Sequence, residues 1–397
     1  MEKIKVVFVN YQLICGGAEQ ALFDLICLMD KEKFDVSVFI QNPGGAWEEK
    51  FRDAGIKILY DYSCRKATFN PITKAGNIVK KLKTQKALNN EGEGLLDVCL
   101  TDGADIVVSY SAWCKDWIAF KKGAKTVKYI HGDPATNPAY REEAVEKRHV
   151  LEKYDRIVCV SDAACGSFKE ISGLTRGVER HYNPLNSDNV KALAENKVEL
   201  PADVPLICAV GRLSAEKGFE RLIYIHRRLL DKGIRHKLVL VGDGPDRDFI
   251  RRTVNATNTQ DSVILAGYQA NPYPYMKQSK FLVSSSFTEG LPVIAMEALC
   301  LGTPIVAPVP SVGEAFGDEM CGLITENDNL SLEAGIEKML TDEGFYAQAK
   351  AGAVKRSQFF EGKRMVKEIE DMFLDLMKES LCHCEPVYRL VRNPLKC

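Results

Sequence analysis

At 397 residues the chain has room for about two to three domains, and a formal net charge of −1 gives no basic field for wrapping nucleic acid. Its 46% hydrophobic and 27% charged residues suit a globular protein with substantial cores. Thirteen scattered cysteines, several inside apolar runs, read as reduced buried thiols and argue against a disulfide framework.

The first apolar run, Val6 to Val9, is too short for a signal peptide and predicts a buried strand. No stretch approaches about 18 uninterrupted apolar residues, so no membrane span is expected. The strand ends at a loop holding Gly16-Gly17, and helical spacing follows from Ala18 to Met29. Phe34 to Ile40 predicts a second strand, Trp47 to Ala54 a helix and Lys57 to Leu59 a third strand. This β-α-β-α-β opening is the pattern of a parallel sheet covered by helices.

From 70 to 90, Lys74, Lys80, Lys81, Lys83 and Lys86 interleave with Ile78, Val79, Leu82 and Leu88. The favoured reading is a solvated helix face, and the second is peripheral contact with an anionic membrane. Strands resume at Ile106 to Val108, Val127 to Ile130 and Ile157 to Val160. A helix over Asp162 to Ile171 follows a Ser161-Asp162 cap signal. The polar stretch Asn186 to Pro205 reads as an inter-domain linker.

A second β/α series follows, with strands at Leu206 to Val210, Lys237 to Val241, Val263 to Leu265, Phe281 to Ser285 and Pro304 to Ala307. Helices are predicted at Phe219 to Leu230, Asp246 to Val254, Leu330 to Leu340, Glu343 to Phe359 and Arg364 to Lys378. The expected division is 1–185, joined by a returning helix at 360–381, then 186–359, then a tail at 382–397. Cys382-His383-Cys384 and Cys397 crowd that tail without a second ligand pair, so no metal is expected there.

Chemistry concentrates in the loops after the second-half strands, where ligands bind in open parallel sheets. Gly211-Arg212-Leu213-Ser214-Ala215-Glu216-Lys217-Gly218 places two cations in one loop. Phe287 to Glu297, F-T-E-G-L-P-V-I-A-M-E, sets Glu289 in a turn and Glu297 inside a helix. Pro292 suits the first helical position, and the free N–H groups of that turn can hold an anion between the two carboxylates. The plainer reading of the same residues is a strand–turn–helix with two solvated glutamates. Asp246-Arg247-Asp248 looks like a metal motif, but acids opening a helix are explained by its dipole. Gly242-Asp243-Gly244 lacks the third glycine of a dinucleotide fingerprint.

Taken in order, G-R-L-S-A-E-K-G, V-L-V-G-D-G-P, L-A-G-Y and F-T-E-G-L-P-V-I-A-M-E-A-L-C-L-G-T-P-I-V resemble family four of the retaining glycosyltransferases, also called glycosyltransferases group 1. The resemblance covers roughly residues 206–325, with weaker matches back to residue 4. It implies an α/β GT-B fold: two facing Rossmann-like domains with parallel sheets and a cleft between them. It implies that Arg212 and Lys217 bind the donor diphosphate, Glu289 the sugar hydroxyls and Glu297 the ribose. Gly290 and Leu291 match the turn whose amides approach phosphate and sugar, while Gly242 and Tyr268 match donor-loop positions. In the first half, Gly16 and Gly17 resemble the glycine loop facing the donor, and His131 in Y-I-H-G-D resembles the active-site histidine. A structural histidine is the competing reading of His131.

The resemblance further implies a nucleoside-diphosphate sugar donor, UDP-linked by preference, as substrate, with no cofactor and no metal. The implied acceptor is a glycan or lipid-linked sugar in surface-polysaccharide synthesis. The implied location is cytoplasmic, at the inner face of the plasma membrane. The competing readings are a GT-B-type epimerase and a non-catalytic sugar-nucleotide-binding or scaffold subunit.

Overall fold

The protein's three-dimensional structure is a computed structural model that describes residues 2–14, 16–60, 103–114, 116–120 and 123–382. The basic stretch 70–90 and the tail beyond residue 382 lie outside the described residues.

Seven parallel strands form the first sheet: β1 (Ile4–Asn10), β2 (Phe34–Ile40), β3 (Lys57–Tyr60), β4 (Ile106–Ser109), β5 (Lys125–Ile130), β6 (Arg156–Cys159) and β7 (Val178–Arg180). Their spatial order is β3-β2-β1-β4-β5-β6-β7. Strand residues point alternately to the two faces, and both faces are covered. Val6, Phe8 and Val108 join one core, while Val7, Val9 and Val107 join another on the far side with Ile118. That double burial explains why these strands read as continuous apolar runs.

A second sheet of six strands, ordered β10-β9-β8-β11-β12-β13, is also parallel. It comprises β8 (Leu206–Val210), β9 (Lys237–Val241), β10 (Val263–Gly267), β11 (Phe281–Val283), β12 (Ile305–Ala307) and β13 (Gly322–Ile324). Two parallel-sheet, Rossmann-like layers with helices on their faces form a cleft in the GT-B manner.

The final helix, Gly362–Cys382, leaves the second sheet and packs on the first. Val366, Ile369, Phe373 and Leu376 enter the core of Phe8 and Phe34, with the Phe373 ring 6.3 and 6.2 Å from theirs. Glu370 accepts a hydrogen bond from the Asp30 N–H at 2.6 Å, closing the end of the helix Gly17–Leu28. Among the described residues no helix is long and apolar enough to cross a membrane.

Two local expectations fail. Asn186 to Pro205 is not simply a linker, because Ser187–Leu193 is helical. The Asn186 side chain caps it by accepting from the Asn189 N–H at 3.2 Å, and Val190 and Ala194 are buried in the second domain's core. The polar residues that suggested a linker occupy the other face. Pro292 is not the first helical residue either. Its ψ of 123° is extended, so it caps a helix that begins at Val293.

Candidate active site

Each sheet reverses its strand order once: the first between β1 and β4, the second between β8 and β11. At such a switch point the loops leaving adjacent strands diverge and open a crevice at the carboxyl ends of the strands. Both crevices carry the residues of interest.

In the second crevice, Lys217 from the loop after β8 meets Glu289 from the loop after β11. The Lys217 Nζ lies 2.5 Å from Glu289 Oε1, and the Ser286 hydroxyl donates to the same oxygen at 2.7 Å. The Glu289 side chain is only 13% exposed, so the ammonium and hydroxyl compensate a largely desolvated carboxylate. Arg221 fixes this loop from below. Its buried guanidinium donates to the Ser285 carbonyl at 2.8 Å, the Ser286 carbonyl at 2.9 Å and Asn327 Oδ1 at 2.9 Å. It also lies 4.0 Å from the centre of the Phe287 ring. Phe287 N–H donates to the Glu216 carbonyl at 2.9 Å, so the two loops are stitched to each other.

The second-domain loop also touches the first domain. Thr288 and Thr136 share a hydroxyl hydrogen bond of 2.9 Å. A β-carbon on Gly290 would fall 2.1 Å from the His131 carbonyl oxygen, so only glycine lets the chains approach so closely there. Gly17 faces Val293 at the start of the helix Val293–Cys300, and Gly16 precedes the first helix as its cap.

His131 follows β5 and is held among aromatic rings. Tyr110 crosses it at 4.5 Å and Tyr129 stacks at 5.6 Å. Burial, aided by the Lys128 charge, pushes its pKa down to about 3, so the imidazole is neutral at ordinary pH. Lys128 itself is buried and paired with Glu143 at 2.9 Å. The His131 ring opens on a cavity of about 490 Å³ in the first crevice. Asn10 at the end of β1 lines it with Tyr11, Gln12 and Ile14 from the loop that follows, and Ser111, Ala112 and Trp113 line it from the loop after β4.

Glu19 also lines this cavity, in the first turn of the helix Gly17–Leu28. Burial raises its pKa to about 7 against hydrogen bonds from its own N–H and from Asn10. Glu297 is placed differently. It is 6% exposed, accepts the Tyr273 hydroxyl at 2.9 Å and has its pKa raised to about 7, chiefly by burial. Asp24 of the first domain adds to that rise, and its own pKa is about 6, again through burial. Asp24 accepts from the Asn186 N–H at 3.1 Å. Glu297 therefore belongs to a buried acidic junction between the domains, set apart from the cavity at His131.

The structure thus brings together Lys217, Glu289, Gly290 and His131, with Gly17 facing the adjacent helix start. Arg212 is exposed at the rim, and Tyr268 is half-exposed. Leu291 is buried in the core. Gly242 has φ +146°, and a β-carbon there would meet the Gly211 carbonyl oxygen at 1.8 Å, so it packs the Arg212 loop against its neighbour. Sequence reading alone missed Glu19, Trp113, Ser286, Arg221 and the Thr136–Thr288 contact. Glu19 stands two residues after the glycine pair, but Trp113 carried no local signal. Among the described residues no group of three or more His, Cys, Asp or Glu could hold a metal ion.

Residues 190–356 match the family described as Glycosyl transferases group 1. Over 93% of its length the chain is 26% identical to an N-acetylgalactosamine-N,N'-diacetylbacillosaminyl-diphospho-undecaprenol 4-alpha-N-acetylgalactosaminyltransferase of Campylobacter jejuni, covering 98% of that protein. It is 23% identical to the lipopolysaccharide core biosynthesis glycosyltransferase LpsE of Rhizobium meliloti, over 91% of this chain and 96% of that one. Among solved structures, Anabaena Alr3699/HepE in complex with UDP and glucose superposes with a TM-score of 0.72 at 16% identity, over 94% of this chain and all of that one. Two switch-point crevices facing across a cleft give the chain the GT-B fold, and its second half, which holds the motifs lining one crevice, carries the match to the group 1 glycosyltransferases.

Proposed function

We propose that the protein is a retaining hexosyltransferase that moves a hexose or N-acetylhexosamine from a UDP-sugar to a glycan or lipid-linked acceptor in surface-polysaccharide synthesis. The observation that carries this reading is the Lys217–Glu289 pair, set 2.5 Å apart at the second switch point and joined through Gly290 to His131. Relatives named for lipopolysaccharide core synthesis and for transfer to a diphospho-undecaprenol-linked sugar support the acceptor class. On this reading the protein works in the cytoplasm at the inner membrane face, where a nucleotide sugar and a lipid-linked glycan meet.

The residues divide the work. Lys217 neutralises the donor diphosphate as the leaving group gains charge, with Arg212 at the rim assisting. The start of the helix Val293–Cys300 adds the positive end of its dipole. Glu289 accepts hydroxyl hydrogen bonds from the transferred sugar. Neutral His131 stands beside the donor loop without adding a charge, both of its ring nitrogens buried. Substitution on the front face lets the departing phosphate take the acceptor's proton, so no protein nucleophile is required. Glu297 holds the ribose on this reading once the junction with Asp24 opens toward the nucleotide.

The test is thermal unfolding with UDP-, GDP- and ADP-sugars, followed by transfer assays with the stabilising donor. Stabilisation by UDP-sugars above the other two is expected, since a ligand of the folded state raises its stability by mass action. No response to any nucleotide sugar would overturn the reading. Donor binding without hydrolysis or transfer would favour a scaffold subunit.

A further inference from the structure

The 490 Å³ cavity beside His131 has a lining that is selective in its chemistry. Trp113 stands on the loop after β4 and is 71% exposed. Tyr11 and Ile14 extend the apolar rim from the loop after β1. The same lining holds hydrogen-bonding groups: Asn10, Gln12, Ser111 and the carboxyl of Glu19. Among the described residues of the lining there is no lysine or arginine.

An indole and hydrogen-bonding groups lining one cavity suit a pyranose. The axial C–H face of the ring packs on the aromatic plane, and the equatorial hydroxyls reach the polar side. A buried carboxylate accepts such hydroxyls well. It repels a second carboxylate or a phosphate brought into the same low-dielectric space. On the transferase reading this cavity receives the acceptor sugar; we propose that Trp113 is its stacking platform and that Glu19 makes it selective for a neutral sugar over an anionic one. A lipid-linked acceptor then enters with its terminal sugar in the cavity and its diphosphate outside.

The backbone supports this assignment. The Tyr11 N–H donates to the Ser111 hydroxyl at 2.9 Å, so the two loops are tied at the mouth of the cavity. Trp113 lies two residues beyond that tie and lines the same cavity as Tyr11 and Ile14. Glu19 is held by its own N–H and by Asn10, which fixes the carboxyl against the floor. Glu19 and Trp113 thus reach one space from two chain segments about a hundred residues apart.

This inference rests on the transferase reading, and its test separates the two. The full chain, with UDP present at pH 8 where Glu19 is ionised, is titrated by ligand-observed NMR with the methyl glycosides of glucose, N-acetylglucosamine and N-acetylgalactosamine, and with methyl glucuronide. At least one neutral glycoside should bind about tenfold or more tightly than the glucuronide. Trp113→Ala should weaken that glycoside about tenfold and leave UDP affinity unchanged, and Trp113→Phe should recover part of the loss. Glu19→Gln should narrow the gap between neutral and anionic glycosides. Equal binding of glucuronide, no effect of Trp113→Ala, or no glycoside binding by a wild-type protein that binds UDP would each overturn the inference. Failure of the wild type to bind UDP would count against the donor reading instead.

Discussion

Gly290 and His131 belong to different domains, yet the backbone of one lies against the carbonyl oxygen of the other, leaving no room for a β-carbon. The loop carrying Glu289 is therefore seated on the segment that delivers the histidine. Gly290→Ala should force the two apart by a fraction of an ångström to an ångström. The expected result is a fall in turnover of about 100-fold, as for other small misplacements of reacting groups, with a stability loss of about 1–3 kcal/mol. Transfer kinetics and thermal unfolding on one preparation would check both.

Lys217→Ala leaves Glu289 largely buried with only the Ser286 hydroxyl as partner. UDP affinity should fall about tenfold or more, because the loss removes a cation facing the diphosphate. Glu289→Gln keeps the hydrogen bond from Ser286 and should spare UDP binding while lowering transfer. Calorimetry with UDP, set beside turnover with the full donor, separates the two effects. Unchanged UDP affinity in Lys217→Ala would remove that lysine from the donor site.

Arg221 is a structural support for the same loop, and a lysine cannot reproduce its fork. Arg221→Met should leave the Ser285 and Ser286 carbonyls without their donors, at a cost of about 2–4 kcal/mol. Arg221→Lys should recover only part of it. Urea unfolding gives the stability, and hydrogen exchange over 284–290 should show faster opening than in the wild type.

An acid-sensitive element lies away from the cleft. His226 Nδ1 is 2.8 Å from His236 Nε2, His226 Nε2 is 2.9 Å from the Ser262 hydroxyl, and His236 Nδ1 is 2.9 Å from the Ile234 carbonyl. With His236 donating to that carbonyl, the chain is satisfied when Ser262 donates to His226 and His226 to His236, both rings being neutral. Burial lowers the His226 pKa from 6.5 to about 3. A depressed folded pKa means the unfolded chain takes up the proton first. The stabilisation is fully present above pH 6.5 and is lost progressively as pH falls toward 3. At pH 5 the loss should be about 2 kcal/mol. Glu19 and Glu297 act in the opposite sense, since their raised pKa values contribute stability below pH 4.5 that disappears as pH rises through about 7. Comparing wild type with His226→Gln in urea between pH 5 and 8 isolates the histidine: the wild type should lose ground below pH 6.5 and run parallel above it.

Much of this architecture was legible because it is encoded locally. Val6 to Val9, Ile106 to Val108 and Leu238 to Val241 are buried on both faces, so their apolar runs announce parallel strands without knowledge of their neighbours. Lys217 and Glu289 could be named because each sits in a motif at the end of such a strand. Trp113 could not. Its importance comes from β1 and β4 being neighbours, and a strand order of β3-β2-β1-β4 cannot be read from the intervening residues. Arg221 escaped because an arginine in the first turn of a helix ordinarily reads as solvent-facing, and only the tertiary position of the Ser285 and Ser286 carbonyls explains its burial. Glu297 was legible as a motif residue, but its bond to Tyr273 depends on how the second domain folds, and the raising effect of Asp24 on it depends on the first domain docking against the second.

The chain crosses between the domains twice, once before Ser187 and once before the final helix. Gly362 sits so close to Leu185 that a β-carbon there would fall 2.3 Å from the Leu185 carbonyl oxygen. The two crossings are therefore one pin. A pin alone would let the two jaws swing, and the contacts of Gly290 with His131 and of Thr288 with Thr136 are what hold them together. Substituting a larger residue at Gly362 would act as grit in that bearing, changing how fast the jaws open and shut without touching anything they grip.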